Sequence, residues 1–178
     1  YGEKENGAVF SHMTVMYANA LYRRGFVKEG WKALKTLADT ALDFDTSHIY
    51  PGLPEYFRSD GRGMYQYLTG AASWFMMTMI TEVFGVRGEA GDLILYPKLQ
   101  ACQFDTDGTA SITTPFAGKN FTVIYKNEAF KDFGDYIIDS ASCDGNELSI
   151  NEDAFVSIPR KMLTALSDDR HTIIVNLL

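Results

Sequence analysis

From Ala8 to Tyr22 apolar residues fall on nearly every side of a helical wheel, with Val9, Phe10, Met13, Val15, Met16, Ala18 and Leu21 among them. A segment apolar all round predicts a buried helix. Arg23, Arg24 and Gly25 supply a basic last turn and a stop. Val27, Trp31, Leu34, Ala38 and Ala41 recur at steps of three and four, which predicts an amphipathic outer helix. A loop follows from Asp45 to Tyr67, holding Pro51, Gly52, Pro54, Gly61 and Gly63. Loops of that length in compact domains usually carry function. Ala71 to Phe84 predicts a third helix, again apolar on most sides.

Beyond Gly91 the period falls to two. Asp92–Tyr96 predicts a short strand ended by Pro97. Ala110, Ile112, Thr114 and Phe116 alternate with polar or small neighbours, and Phe121, Val123 and Tyr125 do the same. Tyr136–Ile138 and Leu148–Ile150 are expected strands flanking Asp144-Gly145-Asn146, a hairpin-type turn. Pro159–Leu166 predicts one short helix, and Thr172–Leu178 a closing buried strand. Helices followed by strands mean an α+β fold. Two domains are expected, a helical one over 1–88 and a β domain over 89–178. An all-round apolar inner helix beside an amphipathic outer helix is the pattern of a double-layered helical barrel. Three helices cannot close one, and the remainder is expected upstream. The chain opens on Tyr1 and not on Met, which agrees with a natural N-terminus lying further upstream.

Composition narrows the partners. The 178 residues are 46% hydrophobic and carry a formal net charge of -7. Nucleic acid and anionic membrane both call for a basic face, so neither is expected. No apolar run reaches membrane-spanning length without a charge or glycine. A soluble, cytoplasmic protein fits this profile. Aromatic residues at 13% serve either a dense core or a sugar-stacking surface. Cys102 and Cys143 lack metal-ligand spacing and read as free buried thiols. No metal site is expected.

A few polar residues could carry chemistry. Glu5, in Lys4-Glu5-Asn6-Gly7, belongs either to a helix-capping run with Asn6 as cap or to a sugar site, where a carboxylate accepts paired hydroxyl hydrogen bonds. His12, on an apolar helix, is either a satisfied core histidine or, protonated, a donor to an anion. Thr69-Gly70 opens the third helix, where free amides and the helix dipole attract anions. Glycine there lets an anion approach the backbone, although a threonine cap alone is common. Arg62, between Gly61 and Gly63, is either an anion or substrate contact or a loop arginine bridging acidic neighbours. Trp31 and Trp74 read as packing residues. Asp39, Asp43 and Asp45 read as a solvated helix end.

Taken together, Lys4-Glu5-Asn6-Gly7 with His12, Gly61-Arg62-Gly63, Leu68-Thr69-Gly70-Ala71-Ala72-Ser73-Trp74 and Phe84-Gly85-Val86-Arg87 resemble the C-terminal portion of the inverting glycoside phosphorylases. These are the cellobiose, cellodextrin, chitobiose and 1,2-β-oligoglucan phosphorylases, glycoside hydrolase family 94, formerly glycosyltransferase family 36. The resemblance is strong through Arg87 and weaker in the β part. It implies the C-terminal helices of an (α/α)6 barrel followed by a small antiparallel β-sandwich-like domain. It implies a reaction without a cofactor, in which inorganic phosphate is a co-substrate. Phosphate attacks the anomeric carbon of a β-glucoside from the opposite face, an aspartic acid protonates the leaving oxygen, and α-glucose 1-phosphate forms. Phosphate replaces the activated water of an inverting hydrolase, so a single catalytic carboxyl suffices.

By the same resemblance His12, Thr69 and Gly70 match phosphate ligands, and Glu5 matches a glutamate contacting the transferred glycosyl unit. Ile49-Tyr50-Pro51-Gly52-Leu53-Pro54-Glu55-Tyr56 would line part of the sugar cleft. The general-acid aspartate and a phosphate-binding arginine would lie upstream of Lys4-Glu5-Asn6-Gly7, leaving no catalytic residue within these 178 positions. The implied partners are a β-linked oligosaccharide, phosphate, the missing N-terminal portion and a second copy of the chain. A β-glucan synthase or transferase of the same superfamily remains an alternative, as does a noncatalytic carbohydrate-binding or interaction module.

Overall fold

Residues 1–49, 52–66 and 70–178 are described by the computed structural model, and Tyr50, Pro51, Tyr67, Leu68 and Thr69 lie outside the described residues. The chain forms two units, Tyr1–Met79 and Ile80–Leu178. Helices dominate the first and strands the second, so the fold is α+β.

In the first unit Val9–Phe10 (β1) leads into α1, Ser11–Arg23, followed by α2, Val27–Leu42, and the short α3, Phe44–Ser47. Tyr56–Phe57 (β2) pairs antiparallel with β1 and with Gly63–Met64 (β3). This pairing holds Val9 and Phe10 extended, so the helix starts at Ser11 and not at Ala8. The Ser11 amide donates to the Glu55 carbonyl at 2.9 Å. Asn6 is not the cap. It lies in a tight turn, where its amide donates to the Glu3 carbonyl at 3.0 Å.

The buried residues of α1 are Ser11, Val15, Ala18, Asn19 and Tyr22, which form one helical stripe. Met13, Met16 and Tyr17 are 67%, 44% and 60% exposed. The expected all-round burial is therefore corrected to burial of one face. Helices α2 and α4, Gly70–Thr78, pack against α1. Gly30 makes the α1–α2 approach possible, because a Cβ there would lie 2.6 Å from Cδ2 of Tyr22. Between α1 and α4, buried Asn19 donates from Nδ2 to Thr78 Oγ1 at 3.1 Å. Among the described residues no ring of helices closes. The expected barrel portion is thus observed only as three packed helices, a short helix and a small sheet.

The third helix departs from its expected course. After Thr78 it widens into a π-helical turn, Met79–Val83. In the second unit the turn's Glu82 and Lys98 form a buried ion pair at 2.9 Å. Two sheets follow. Val86–Glu89 (β4), Asp92–Leu95 (β5) and, later, Val156–Ile158 (β10) form an antiparallel sheet ordered β10-β5-β4. Thr109–Phe116 (β6), Lys119–Lys126 (β7), Ile138–Cys143 (β8), Asn146–Glu147 (β9) and Arg170–Leu177 (β11) form the other, ordered β6-β7-β11-β8-β9. Helix α5, Arg160–Ala165, lies between β10 and β11.

Register explains the core. Ile112, Val123, Ile173 and Cys143 align across β6, β7, β11 and β8, as do Ala110, Tyr125, Val175 and Ala141. Side chains two apart share a face, and the β7 and β11 members of these rows are fully buried. The expectation of a wholly antiparallel domain is corrected here. β7 and β11 run parallel, and the intervening chain is long enough for the crossover that parallel pairing requires.

The hairpin also differs from expectation. Asp144 and Gly145 both have positive φ, 48° and 82°, as a two-residue type I′ turn requires. Asn146 therefore already belongs to the ladder, opposite Cys143. Tyr136 lies outside the strand and places its buried hydroxyl between the Leu99 amide and the Pro97 carbonyl, at 2.9 and 3.0 Å. Cys143 is buried, as expected, but Cys102 is exposed.

A polar tie joins the hairpin to β11. Buried His171 sets Nδ1 2.7 Å from Asp144 Oδ2 and Nε2 2.7 Å from the Asp168 carbonyl. The Thr172 amide donates to Asp144 Oδ1 at 2.9 Å. That amide, and then His171, hold the Asp144 carboxyl below its ordinary value of 3.8. A carboxyl lowered in the folded state gives stability above its unfolded pKa and loses it as pH falls. Thermal unfolding is thus expected to occur at lower temperature as pH drops below that ordinary value. Asp144→Asn, which still suits the positive φ, should flatten this acid limb. An unchanged limb in the variant would show that the tie does not contribute.

Candidate functional site

His12 is the second residue of α1, and its ring reaches the start of α4. A Cβ built on Gly70 would lie 2.5 Å from Cε1, 2.7 Å from Nδ1 and 2.9 Å from Nε2 of that imidazole. The nitrogen-bearing edge of the ring thus occupies the space that any other residue at position 70 would fill. Trp74, one turn along α4, packs beside the ring at a centroid distance of 5.7 Å and an interplanar angle of 54°. Nε2 of His12 is buried and has no hydrogen-bond partner among the described residues. Such a buried polar atom is costly unless something satisfies it.

The Asn19–Thr78 bond fixes the direction of the two helices. His12 meets Gly70 near both N-termini, and Asn19 meets Thr78 near both C-terminal halves. Helices α1 and α4 therefore run parallel, and their positive dipole ends share one end of the unit. Gly70, the first described residue of α4, and an imidazole edge meet there, a pairing suited to an anion.

The remaining candidates are distributed differently. Thr69 lies outside the described residues. Glu5 is exposed and lines a cavity of about 550 Å³ with Lys4, Phe10, Met13 and Tyr17. His12 is not among the residues lining that cavity. Arg62 is exposed on the β2–β3 turn, where its amide donates to Asp60 Oδ1 at 3.2 Å. Arg58, not Arg62, bridges the acidic neighbours, at 3.5 Å from both Glu3 and Asp60. In the segment expected to line a sugar cleft, Ile49, Pro54 and Tyr56 are buried, while Tyr50 and Pro51 lie outside the described residues. A second cavity, about 580 Å³, opens between α1, α2 and the β2–β3 turn, with Tyr17, Lys32, Leu37, Phe57 and Arg58 on its walls. The family resemblance pairs His12 with Gly70, but in the sequence Trp74 reads only as packing. Its spacing of four from Gly70 is the signal that could have placed it on the same helix face.

No protein-family model matches the chain. A cellobionic acid phosphorylase from Neurospora crassa is 26% identical over 136 residues, 68% of this chain. The match relates the chain distantly to a glycoside phosphorylase. It points the same way as the sequence motifs. The chain spans only 16% of that relative's length. Among the described residues no helix is long and apolar enough to cross a membrane.

Proposed function

We propose that this chain is the C-terminal part of an inverting glycoside phosphorylase and supplies part of its phosphate site. His12 donates to inorganic phosphate beside the Gly70 amide, and Thr69, adjacent in sequence, completes the set. Glu5 accepts hydrogen bonds from hydroxyls of the glycosyl unit being transferred, and Arg62 contacts the sugar. A phosphate oxygen attacks the anomeric carbon of a β-linked gluco-oligosaccharide as the glycosidic C–O bond breaks. The leaving oxygen takes a proton from an upstream aspartic acid, and α-glucose 1-phosphate and a shortened sugar result. Donors fixed around the phosphate hold it for in-line attack and stabilise the charge redistribution.

The observation that carries this reading is the His12 edge seated on Gly70 with Nε2 unpartnered among the described residues. Its test is a titration of the isotope-labelled chain with inorganic phosphate, followed by NMR. Saturable shifts of the Gly70 amide and the His12 ring are expected, and both should be lost in His12→Ala. Unchanged signals at millimolar phosphate would refute the site. Shifts on adding oligosaccharide without any response to phosphate would favour a carbohydrate-binding module instead.

A further inference from the structure

We infer that Trp74 is a positioning residue, forming with Gly70 a socket that fixes the His12 imidazole for anion binding; this rests on the phosphate reading of His12. Gly70 and Trp74 are separated by four positions on α4 and so project from one helix face. The imidazole meets both. Its Nδ1–Cε1–Nε2 edge fills the space of the missing Cβ, at 2.5–2.9 Å from where that atom would stand. The Trp74 ring lies tilted at 54° to it, 5.7 Å away. Tilted aromatic contacts at this separation are favourable.

Two features separate this arrangement from ordinary packing. The first is that the polar edge of the ring, and not its carbon edge, faces the first residue of α4. A core histidine is normally seated so that its nitrogens find partners, whereas here Nε2 has none among the described residues. The second is that α1 and α4 are already registered at their far ends by the buried Asn19–Thr78 bond. Trp74 is half-buried, and the helix pair does not depend on it alone for alignment. Its ring instead restricts rotation of the imidazole about the Cβ–Cγ bond. An imidazole free to rotate would turn Nε2 away from Gly70, and the ordering cost would then fall on phosphate binding.

The test uses the full chain with inorganic phosphate as the probe. Trp74→Leu is expected to weaken phosphate binding about tenfold, the scale of one aromatic contact. The cross-relaxation between His12 Hε1 and Gly70 Hα should be lost with it. Trp74→Phe, which keeps a ring beside the imidazole, should recover most of the affinity and the cross-peak even if Trp74→Leu fails to fold. Wild-type binding with no loss in a folded Trp74→Leu would overturn the socket and leave the phosphate site intact. Equal loss in folded Trp74→Leu and Trp74→Phe would overturn it as well. Absence of phosphate binding by the wild-type chain would overturn both together.

Discussion

Gly85→Ala is expected to unfold the C-terminal unit or cost it more than about 3 kcal/mol, the range reserved for strain and overpacking in a core. Gly85 is buried between the π-helical turn and β4. A Cβ there would lie 1.8 Å from the Tyr96 carbonyl oxygen and 2.2 Å from its carbon. Both obstacles are backbone, which a rotamer change cannot move aside. The Tyr96 amide meanwhile donates to the Gly85 carbonyl at 2.9 Å, so retreat of either segment breaks a buried hydrogen bond. Positive φ, 65°, adds about 1–2 kcal/mol for an L side chain. Gly118→Ala provides the control. Its φ is 79°, but nothing lies within 4 Å of the added Cβ, so only the conformational cost of about 1–2 kcal/mol should remain. Denaturant unfolding followed by circular dichroism compares them. Equal stability of the two variants would sink the steric argument.

Gly85 also shows how far a sequence can be read. Phe84-Gly85-Val86-Arg87 carries part of the family resemblance, yet the sequence gives no hint that Tyr96 presses on the glycine. Strands β7 and β11 were legible because one face of each is wholly buried, so apolar residues alternate through Phe121, Val123 and Tyr125, and again through Ile173, Val175 and Leu177. Alternation is the same in parallel and antiparallel pairs, and the parallel pairing of these two strands was therefore hidden. The start of α1 was misplaced because Val9 and Phe10 are claimed by Tyr56 and Phe57, a distant contact that no local period encodes. Met13 and Met16 suggest burial by their character alone, and only the packing of α2 and α4 decides which side is covered. The π-helical turn at Met79–Val83 has no periodic signature over so few residues. At the site, neither His12 nor Gly70 stands out individually. Their pairing came from the family resemblance, and the geometry then supplies a physical reason for the glycine.

The isolated 178-residue chain is expected to bind phosphate without turning over a β-glucoside. Binding requires donors around one anion, which in the proposed site come from His12 and the Gly70 amide. Turnover requires in addition a proton for the leaving oxygen. Positioned acid catalysis is worth typically about 10²–10⁴-fold, and the family resemblance places the aspartic acid that supplies it upstream of Lys4-Glu5-Asn6-Gly7. Glu5 is a poor substitute, because it is exposed on a tight turn and the family resemblance gives it a sugar-binding role. The upstream arginine implied by the same resemblance would add charge stabilisation that this chain also lacks. Incubation of the purified chain with cello-oligosaccharide and phosphate should therefore give glucose 1-phosphate only at the rate of a protein-free control. The full-length protein should form it in a phosphate-dependent manner, and His12→Ala in that protein should raise the phosphate KM. Measurable glucose 1-phosphate from the chain alone would place a working acid among its own carboxylates and overturn the assignment of that role to an upstream residue.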